Sequence, residues 1–289
     1  MRRQGRGGKH EASGVGEEKS RRKGRNDFEM TANISLGWLW DEIVLVMGRW
    51  VEAERSANYW RDPLVAVASA SDPLFADLHR VVSPDHAMPD AILPGAAAVV
   101  VYFLPFQRWL GRENDQAGHY AARSWAVAYV ATNQLIHAIN THLQARISAE
   151  GFQAGITPAT HNFDEAKLIS RWSHRHLAYI AGLGTFGRHN LLITTAGCCG
   201  RVGSFVTDLP LAPTPRPAIE YCLAKAGSEC SACVSKCAPG ALTETGFDRH
   251  ACYAELLAND RYYDDLPLVD VCGKCGCEVP CSYGIPSAG

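Results

Sequence analysis

The sequence has no apolar run of the roughly 18–20 residues that a membrane-spanning helix needs. Its longest apolar stretch, residues 96–106, is rich in Val and aromatic residues, which favour a buried strand. The first residues are rich in Arg but have no apolar core, so they do not resemble a secretory signal. We therefore expect a protein that has no membrane segment and works in the cytoplasm.

Positive charge is scarce beyond the first residues. Residues 1–26 hold nine Lys or Arg and three Glu, whereas the rest holds 19 basic and 27 acidic residues, a net charge near −8. Because nucleic-acid binding depends on positive charge, this body is a poor match for a nucleic-acid partner unless a local basic patch exists. Residues 1–29 have almost no apolar side chains and predict a disordered basic tail, with a nucleic-acid-binding arm as the alternative.

Cysteine, by contrast, is abundant, and nine of the eleven cysteines fall in the last quarter of the chain. They form two groups, which are Cys222, Cys230, Cys233 and Cys237, and then Cys252, Cys272, Cys275, Cys277 and Cys281. A C-x2-C-x3-C run with a proline close behind it is typical of ferredoxins, in which each 4Fe–4S cluster takes four thiolates. We expect two such clusters. Zinc, which also suits paired C-x2-C, and a disulfide framework are the alternatives.

The remaining pattern predicts a mixed α/β protein. Apolar residues recur at helical spacing from Ile34 onward. Further helices are predicted over 119–149 and 165–181, and strands over 96–104, 191–195 and 202–207. A proline-rich joint at 210–217 divides the chain. The predicted organisation is a tail at 1–29, an α/β cofactor or substrate domain at 30–212, and a cysteine-rich domain at 213–289.

A G-x-G-x-x-G motif is formed by Gly182, Gly184 and Gly187. A dinucleotide site needs a strand before this motif and a helix after it, whereas here the predicted order is reversed. We therefore expect these glycines to let backbone pass close to a flat or bulky cofactor rather than to bind a nucleotide.

Other candidate groups lie near this loop. His161, His174, His176 and His189 are candidates for metal ligands or proton donors, or are partly exposed polar residues. Cys198 and Cys199 are adjacent and fit neither cysteine group. They are interpreted either as small core residues or as part of an active-site wall.

The segments 178–187, 191–194 and 203–208, together with the cysteine order, resemble epoxyqueuosine reductase and its paralogues. The resemblance covers most of residues 90–284. It implies a cobalamin-binding domain with a nitroreductase-like core and then a ferredoxin-like domain with two 4Fe–4S clusters, an α+β plan shared with reductive dehalogenases.

The resemblance also implies ligands and a function. One cluster would be held by Cys222, Cys230, Cys233 and Cys281, and the other by Cys237, Cys252, Cys272 and Cys275. Cys277 has no counterpart and would compete with Cys281. The implied function passes electrons from a ferredoxin, flavodoxin or reductase through both clusters to a corrinoid or another acceptor, and a non-catalytic electron carrier is the alternative. The substrate would be a small molecule or a tRNA-borne group.

The chain departs from the family pattern in two places. The family has an Asp-Tyr-His segment in its middle helix, where this chain has no carboxylate near Asn133, and an amide cannot donate a proton as an acid. Seven residues separate Cys222 from Cys230, where the family has two. The proton donor is therefore not predicted from the sequence.

Overall fold

A computed structural model describes residues 34–54, 57–158 and 163–287. The predicted tail at 1–29 lies outside these residues. Asn33–Gly289 forms one compact unit. Among the described helices, none combines the length and the apolar character needed to cross a membrane. The predicted division near residue 212 stays a prediction.

Helices and strands are interspersed up to residue 207, and only helices follow in the described part of the chain. The helices are α1 (Leu36–Glu54), α2 (Leu74–Val81), α3 (Pro89–Ile92), α4 (Arg108–Gln116), α5 (Arg123–Ala149), α6 (His174–Ile180), α7 (Ala232–Ser235) and α8 (Arg249–Tyr262). The strands are β1 (Leu64–Ser69), β2 (Ala98–Pro105), β3 (Ala154–Ile156), β4 (Phe163–Asp164), β5 (Ile169–Ser170), β6 (Gly184–Phe186), β7 (Leu192–Thr194) and β8 (Gly200–Thr207).

A four-stranded antiparallel sheet in the order β1-β2-β8-β3 forms the centre. Every residue of β2 is buried, because both faces of this strand are covered. Val100, Tyr102 and Leu104 pack into the core layer that contains α5, while Val99 and Val101 pack into the layer that contains α6. Each fully buried apolar side chain of this kind contributes about 1.5–3 kcal/mol. The strand predicted over 96–104 is confirmed.

The long helix α5 confirms the helix predicted over 119–149, and α1 packs against it. The Tyr102 hydroxyl donates to Asn140 Oδ1 on α5 at 2.8 Å, which satisfies a buried polar pair between sheet and helix. The strands predicted near 191–195 and 202–207 are also confirmed, as β7 and β8.

The helix predicted over 165–181 is wrong in its first half. A short hairpin of β4 and β5 occupies this stretch, and only α6 is helical. Asp164 Oδ1 accepts hydrogen bonds from the N–H groups of Ala166 and Lys167, and Leu168 has a left-handed φ of 52°. This local side-chain capping stabilises a turn in place of helix.

Buried polar contacts fix the cysteine-rich segment against the core. Asn114 Nδ2 donates to the Cys272 carbonyl at 2.9 Å, and Lys274 Nζ donates to the carbonyls of Asn114 and Ala117. Asp248 caps α8 by accepting from the N–H groups at positions 250 and 251. The second cysteine group is therefore anchored to α4 and to the loop that follows it.

Gly184 is required for the pairing of β6 with β7. A Cβ at this position would lie 1.9 Å from the Ile193 carbonyl oxygen, which is backbone and cannot turn aside. We expect Gly184→Ala to lower the free energy of unfolding by about 1–3 kcal/mol, as measured by denaturant unfolding. The matched control is Gly48→Ala, at an exposed helical site with no atom within 4 Å of its Cβ. Gly48→Ala should raise the free energy of unfolding by up to about 1 kcal/mol. Equal effects at both positions would contradict this reasoning.

Candidate functional site

The structure brings Cys222, Cys230, Cys233 and Cys281 together, and we call these four set A. They line a small cavity of about 20 Å³. The pKa of Cys233 is raised to about 11, by burial first and then by the charges of the other three thiols. The four sulfurs are therefore close enough to repel one another as thiolates.

A second group, set B, consists of Cys237, Cys252, Cys272 and Cys275. Burial holds the pKa of Cys275 well above its usual value, and the charges of the other three members and of Cys277 add to this. Burial likewise raises the pKa of Cys272 to about 12. As in set A, the thiols lie so close together that their sulfurs would repel one another if they were ionised.

The two sets suit iron–sulfur clusters. All eleven cysteines are free thiols in the structure. Each set supplies the four sulfurs that one 4Fe–4S cluster takes as ligands. Iron cations would offset the repulsion and the loss of hydration that now oppose the thiolate forms. The residues present therefore fit two clusters.

Set B opens onto the main cavity, which has a volume of about 490 Å³. One part of its wall is formed by residues before position 210 and the other part by the cysteine-rich segment. Aromatic side chains form much of the first part, and they are Phe103, Phe106, Trp125, Tyr129, Phe163 and Trp172. This volume lies within the range of about 300–1,000 Å³ that is usual for small-molecule pockets.

Two buried hydrogen-bond donors on this wall have no partner among the described residues, Trp125 Nε1 and Arg201 Nε. Trp125 is only 5% exposed. The Arg201 guanidinium lies over the Tyr129 ring at 4.2 Å, and Tyr129 follows Trp125 by one turn of α5. The two donors therefore lie near one another, where a ligand with oxygen acceptors would satisfy them.

Carboxylates reach the main cavity from positions that sequence reasoning missed. Asn133 is not on the cavity wall, and its side-chain oxygen is buried without a partner in the described part of the chain. Glu255 and Asp270 do line the cavity, and the Tyr129 hydroxyl donates to Asp270. The sequence did carry a signal for Asp270, because it lies two residues before Cys272, a candidate cluster ligand.

The three glycines of the G-x-G-x-x-G motif pack closely against other residues of the protein. A Cβ on Gly182 would meet the Pro215 carbonyl oxygen at 2.7 Å, and one on Gly187 would meet the His189 ring at 2.3 Å. Neither these glycines nor Gly184 lines the main cavity. Their binding of a cofactor stays a prediction.

The candidate histidines have different surroundings. His161 lies outside the described residues. His174 and His176 flank Arg175 on α6, and burial lowers the pKa of each to about 4, so both are neutral near pH 7. His189 Nε2 lies 3.3 Å from Cys281 Sγ in set A.

Cys198 and Cys199 are buried, as the core interpretation predicts, and they also line the main cavity. That this wall belongs to an active site stays a prediction. Cys198 Sγ lies 4.0 Å from Cys281 Sγ, and Cys199 Sγ lies 3.9 Å from Cys277 Sγ. Cys277 therefore contacts Cys199, while Cys198 is the additional thiol beside Cys281.

Comparison with known proteins finds similarity to proteins of two kinds. The epoxyqueuosine reductase of Aliivibrio fischeri (strain ATCC 700601 / ES114) is 30% identical over 176 residues, which cover 59% of this chain and 43% of the relative. A structure of the catabolic reductive dehalogenase NpRdhA, in complex with 3-bromo-4-hydroxybenzoic acid, has a TM-score of 0.55 at 18% identity and covers 77% of this chain and 30% of that one. An epoxyqueuosine reductase crystal structure has a TM-score of 0.49 at 16% identity, covering 85% of this chain and 68% of that one.

No protein-family model matches the chain. The resemblance noted from the cysteine order and the glycine loop is confirmed by this 30% identity to an epoxyqueuosine reductase. The chain spans less than half the length of that curated protein. The mixed α/β fold is similar to that of the dehalogenase.

Proposed function

We propose that this chain is an iron–sulfur redox protein that delivers electrons to an acceptor bound in the main cavity. Set A holds one 4Fe–4S cluster and set B holds the other, in a ferredoxin-like segment that follows the α/β core. When bound, the clusters supply one-electron transfer. An epoxyqueuosine reductase-like reaction, on a small molecule or on a tRNA-borne group, is the reaction class that the relationship supports.

One observation carries this proposal: the four cysteines of set B line the same cavity as the unpartnered donors Trp125 Nε1 and Arg201 Nε. A non-catalytic electron carrier has no need of a pocket beside its cluster. The cavity therefore favours an enzyme over a carrier.

Cationic residues of the chain are placed to support a negatively charged cluster. Burial lowers the pKa of Arg175, and the charges of Cys252 and Cys275 in set B oppose that shift. Burial likewise lowers the pKa of Lys274, and the charge of Cys272 opposes that shift first. These two cations would favour thiolates at set B and hold the cluster that these thiolates bind.

The cavity also indicates the kind of acceptor. Its unpartnered donors suit a molecule with oxygen acceptors, a group that includes the amide side chains of a corrinoid as well as carboxylates and phosphates. Set B and its cluster share the 490 Å³ with the acceptor. The donors thus fit a corrinoid, while the volume fits a smaller molecule or one part of a corrinoid.

Electron delivery tests this proposal directly. The chain is reconstituted anaerobically with iron and sulfide, photoreduced, and then mixed with hydroxocobalamin or cobinamide. We expect re-oxidation of the clusters, with up to about two electrons transferred per chain, one from each cluster. An iron-loaded chain that cannot be reduced, or whose reduced clusters transfer no electrons to either corrinoid or to a small quinone, would contradict the proposed function.

The two unpartnered donors give a prediction about binding. Trp125→Phe keeps an aromatic ring and removes the N–H. It should weaken binding of whichever corrinoid or quinone accepts electrons in that experiment by about 5- to 30-fold, which corresponds to the loss of one hydrogen bond of about 1–2 kcal/mol. Equilibrium dialysis measures this. Trp109→Phe is the matched control, since Trp109 does not line the cavity in the described structure. Equal affinity in both variants would show that the indole N–H does not contact the ligand.

A further inference from the structure

His189 and Cys198 both point at one sulfur of set A. His189 Nε2 lies 3.3 Å from Cys281 Sγ, and Cys198 Sγ lies 4.0 Å from it. The three ligand-type atoms lie within 4.8 Å of one another, a spacing that would also suit a single metal ion. The hydrogen bonding of the imidazole decides whether His189 donates a hydrogen bond to the sulfur or shares a metal ion with it.

The hydrogen bond that His189 Nδ1 accepts determines which ring nitrogen carries the proton. The Leu191 N–H donates to His189 Nδ1 at 3.1 Å. Nδ1 must therefore present a lone pair, and the proton of the neutral ring lies on Nε2. A protonated Nε2 donates a hydrogen bond and cannot ligate a metal. His189 is only 4% exposed, so the ring is held in this orientation.

Cys198 is placed to donate as well. Cys198 is 4% exposed, and its sulfur lies 4.0 Å from the Cys281 sulfur and 3.6 Å from the Gly276 carbonyl oxygen. At this distance its S–H, a weak donor, can donate to the Cys281 sulfur, a weak acceptor. Cys281 thus has two side-chain donors, a number reached by no other sulfur of set A among the described residues.

We propose that His189 and Cys198 are positioning residues that donate hydrogen bonds to Cys281 Sγ and thereby raise the reduction potential of the set A cluster. This inference rests on the proposed function, because it takes Cys281 as a cluster ligand. Reduction adds negative charge to a cluster, and donors to its sulfurs stabilise that charge. His189 and Cys198 also line the main cavity, whereas Cys281 itself does not.

The test measures potentials rather than turnover. In the anaerobically reconstituted chain, His189→Leu should shift the midpoint potential of one cluster to a more negative value and leave the other unchanged. His189→Gln, which keeps an N–H donor, should restore part of the shift. Cys198→Ala should act in the same direction, and Cys198→Ser should act less. His176→Leu is the matched control, since His176 bonds to Ser173 and contacts no sulfur in the described structure.

A second measurement uses the unmutated chain, so it does not depend on any variant folding. With 15N-labelled histidine, electron–nuclear double resonance of the reduced clusters should show a weak nitrogen coupling together with an exchangeable proton. A strong coupling, typical of a directly bound nitrogen, or no coupling, would overturn the inference. Unchanged potentials in His189→Leu would overturn it as well. A chain that assembles no cluster would instead contradict the proposed function.

Discussion

Replacing Cys233 by Ala is expected to remove about four of the eight irons that we predict for the chain, the content of one cluster. Cys233 lies on the short helix α7, is 7% exposed and interacts electrostatically with the other three thiols of set A. A cluster that loses one thiolate is open to solvent and unstable, and metal binding is coupled to folding. We therefore also expect a lower unfolding temperature. Iron and sulfide assays after anaerobic reconstitution measure the loss.

The matched control for this variant is Cys277→Ser. Cys277 is a buried cysteine of the same segment, but its sulfur lies beside Cys199 and accepts from Asn114 Nδ2 at 3.4 Å. It belongs to neither set, so the serine variant should keep about eight irons. Full iron content in Cys233→Ala, or loss of a cluster in Cys277→Ser, would show that the ligands are assigned wrongly.

Replacing Cys275 by Ala is expected to stop electron delivery to the cavity while set A keeps its cluster. Cys275 lines the main cavity and interacts electrostatically with Cys272, Cys252 and Cys237. Its loss should again remove about four irons. Because we propose that set B borders the acceptor, the rate at which the acceptor oxidises the reduced chain should fall by at least about 100-fold. That is the effect of losing a required redox centre rather than of a weakened contact.

The comparison of the two cysteine variants separates the roles of the sets. Cys233→Ala should still transfer about one electron per chain in a single turnover, because set B keeps its cluster beside the cavity. Cys275→Ala should transfer almost none on the same timescale. If Cys275→Ala delivered electrons as fast as the unmutated chain, the acceptor would not lie beside set B.

Sequence patterns predicted those parts of the structure in which one local rule dominates. The buried strand β2 and the long helix α5 follow from β-branched composition and apolar periodicity, and both are where the sequence places them. The hairpin around Leu168 was missed because a single side-chain cap, Asp164, overrides a helical pattern. Such capping depends on geometry that a periodicity argument does not contain.

The cavity was harder to foresee than the cysteine sets. Thiol ligands have a spacing that can be recognised along the chain, so a pair of clusters could be predicted in advance. The two quartets came from the family resemblance, and their binding of clusters stays a prediction. Trp125, Arg201 and Asp270 come from three distant segments and become neighbours only when α5, β8 and the cysteine-rich segment pack together. Asn133, the position at which an acid was sought, is not on the wall. Long-range packing, rather than local sequence, therefore determines the acceptor site.

The measurement that tests the central claim most directly is the cluster content of the chain after anaerobic reconstitution. Iron and acid-labile sulfide are counted, and the reduced sample is examined by electron paramagnetic resonance. We predict about eight irons and about eight sulfides per chain, with signals from two neighbouring 4Fe–4S clusters. A chain that takes up one or two zinc ions and no sulfide would contradict the account and would show that its cysteines form structural zinc sites.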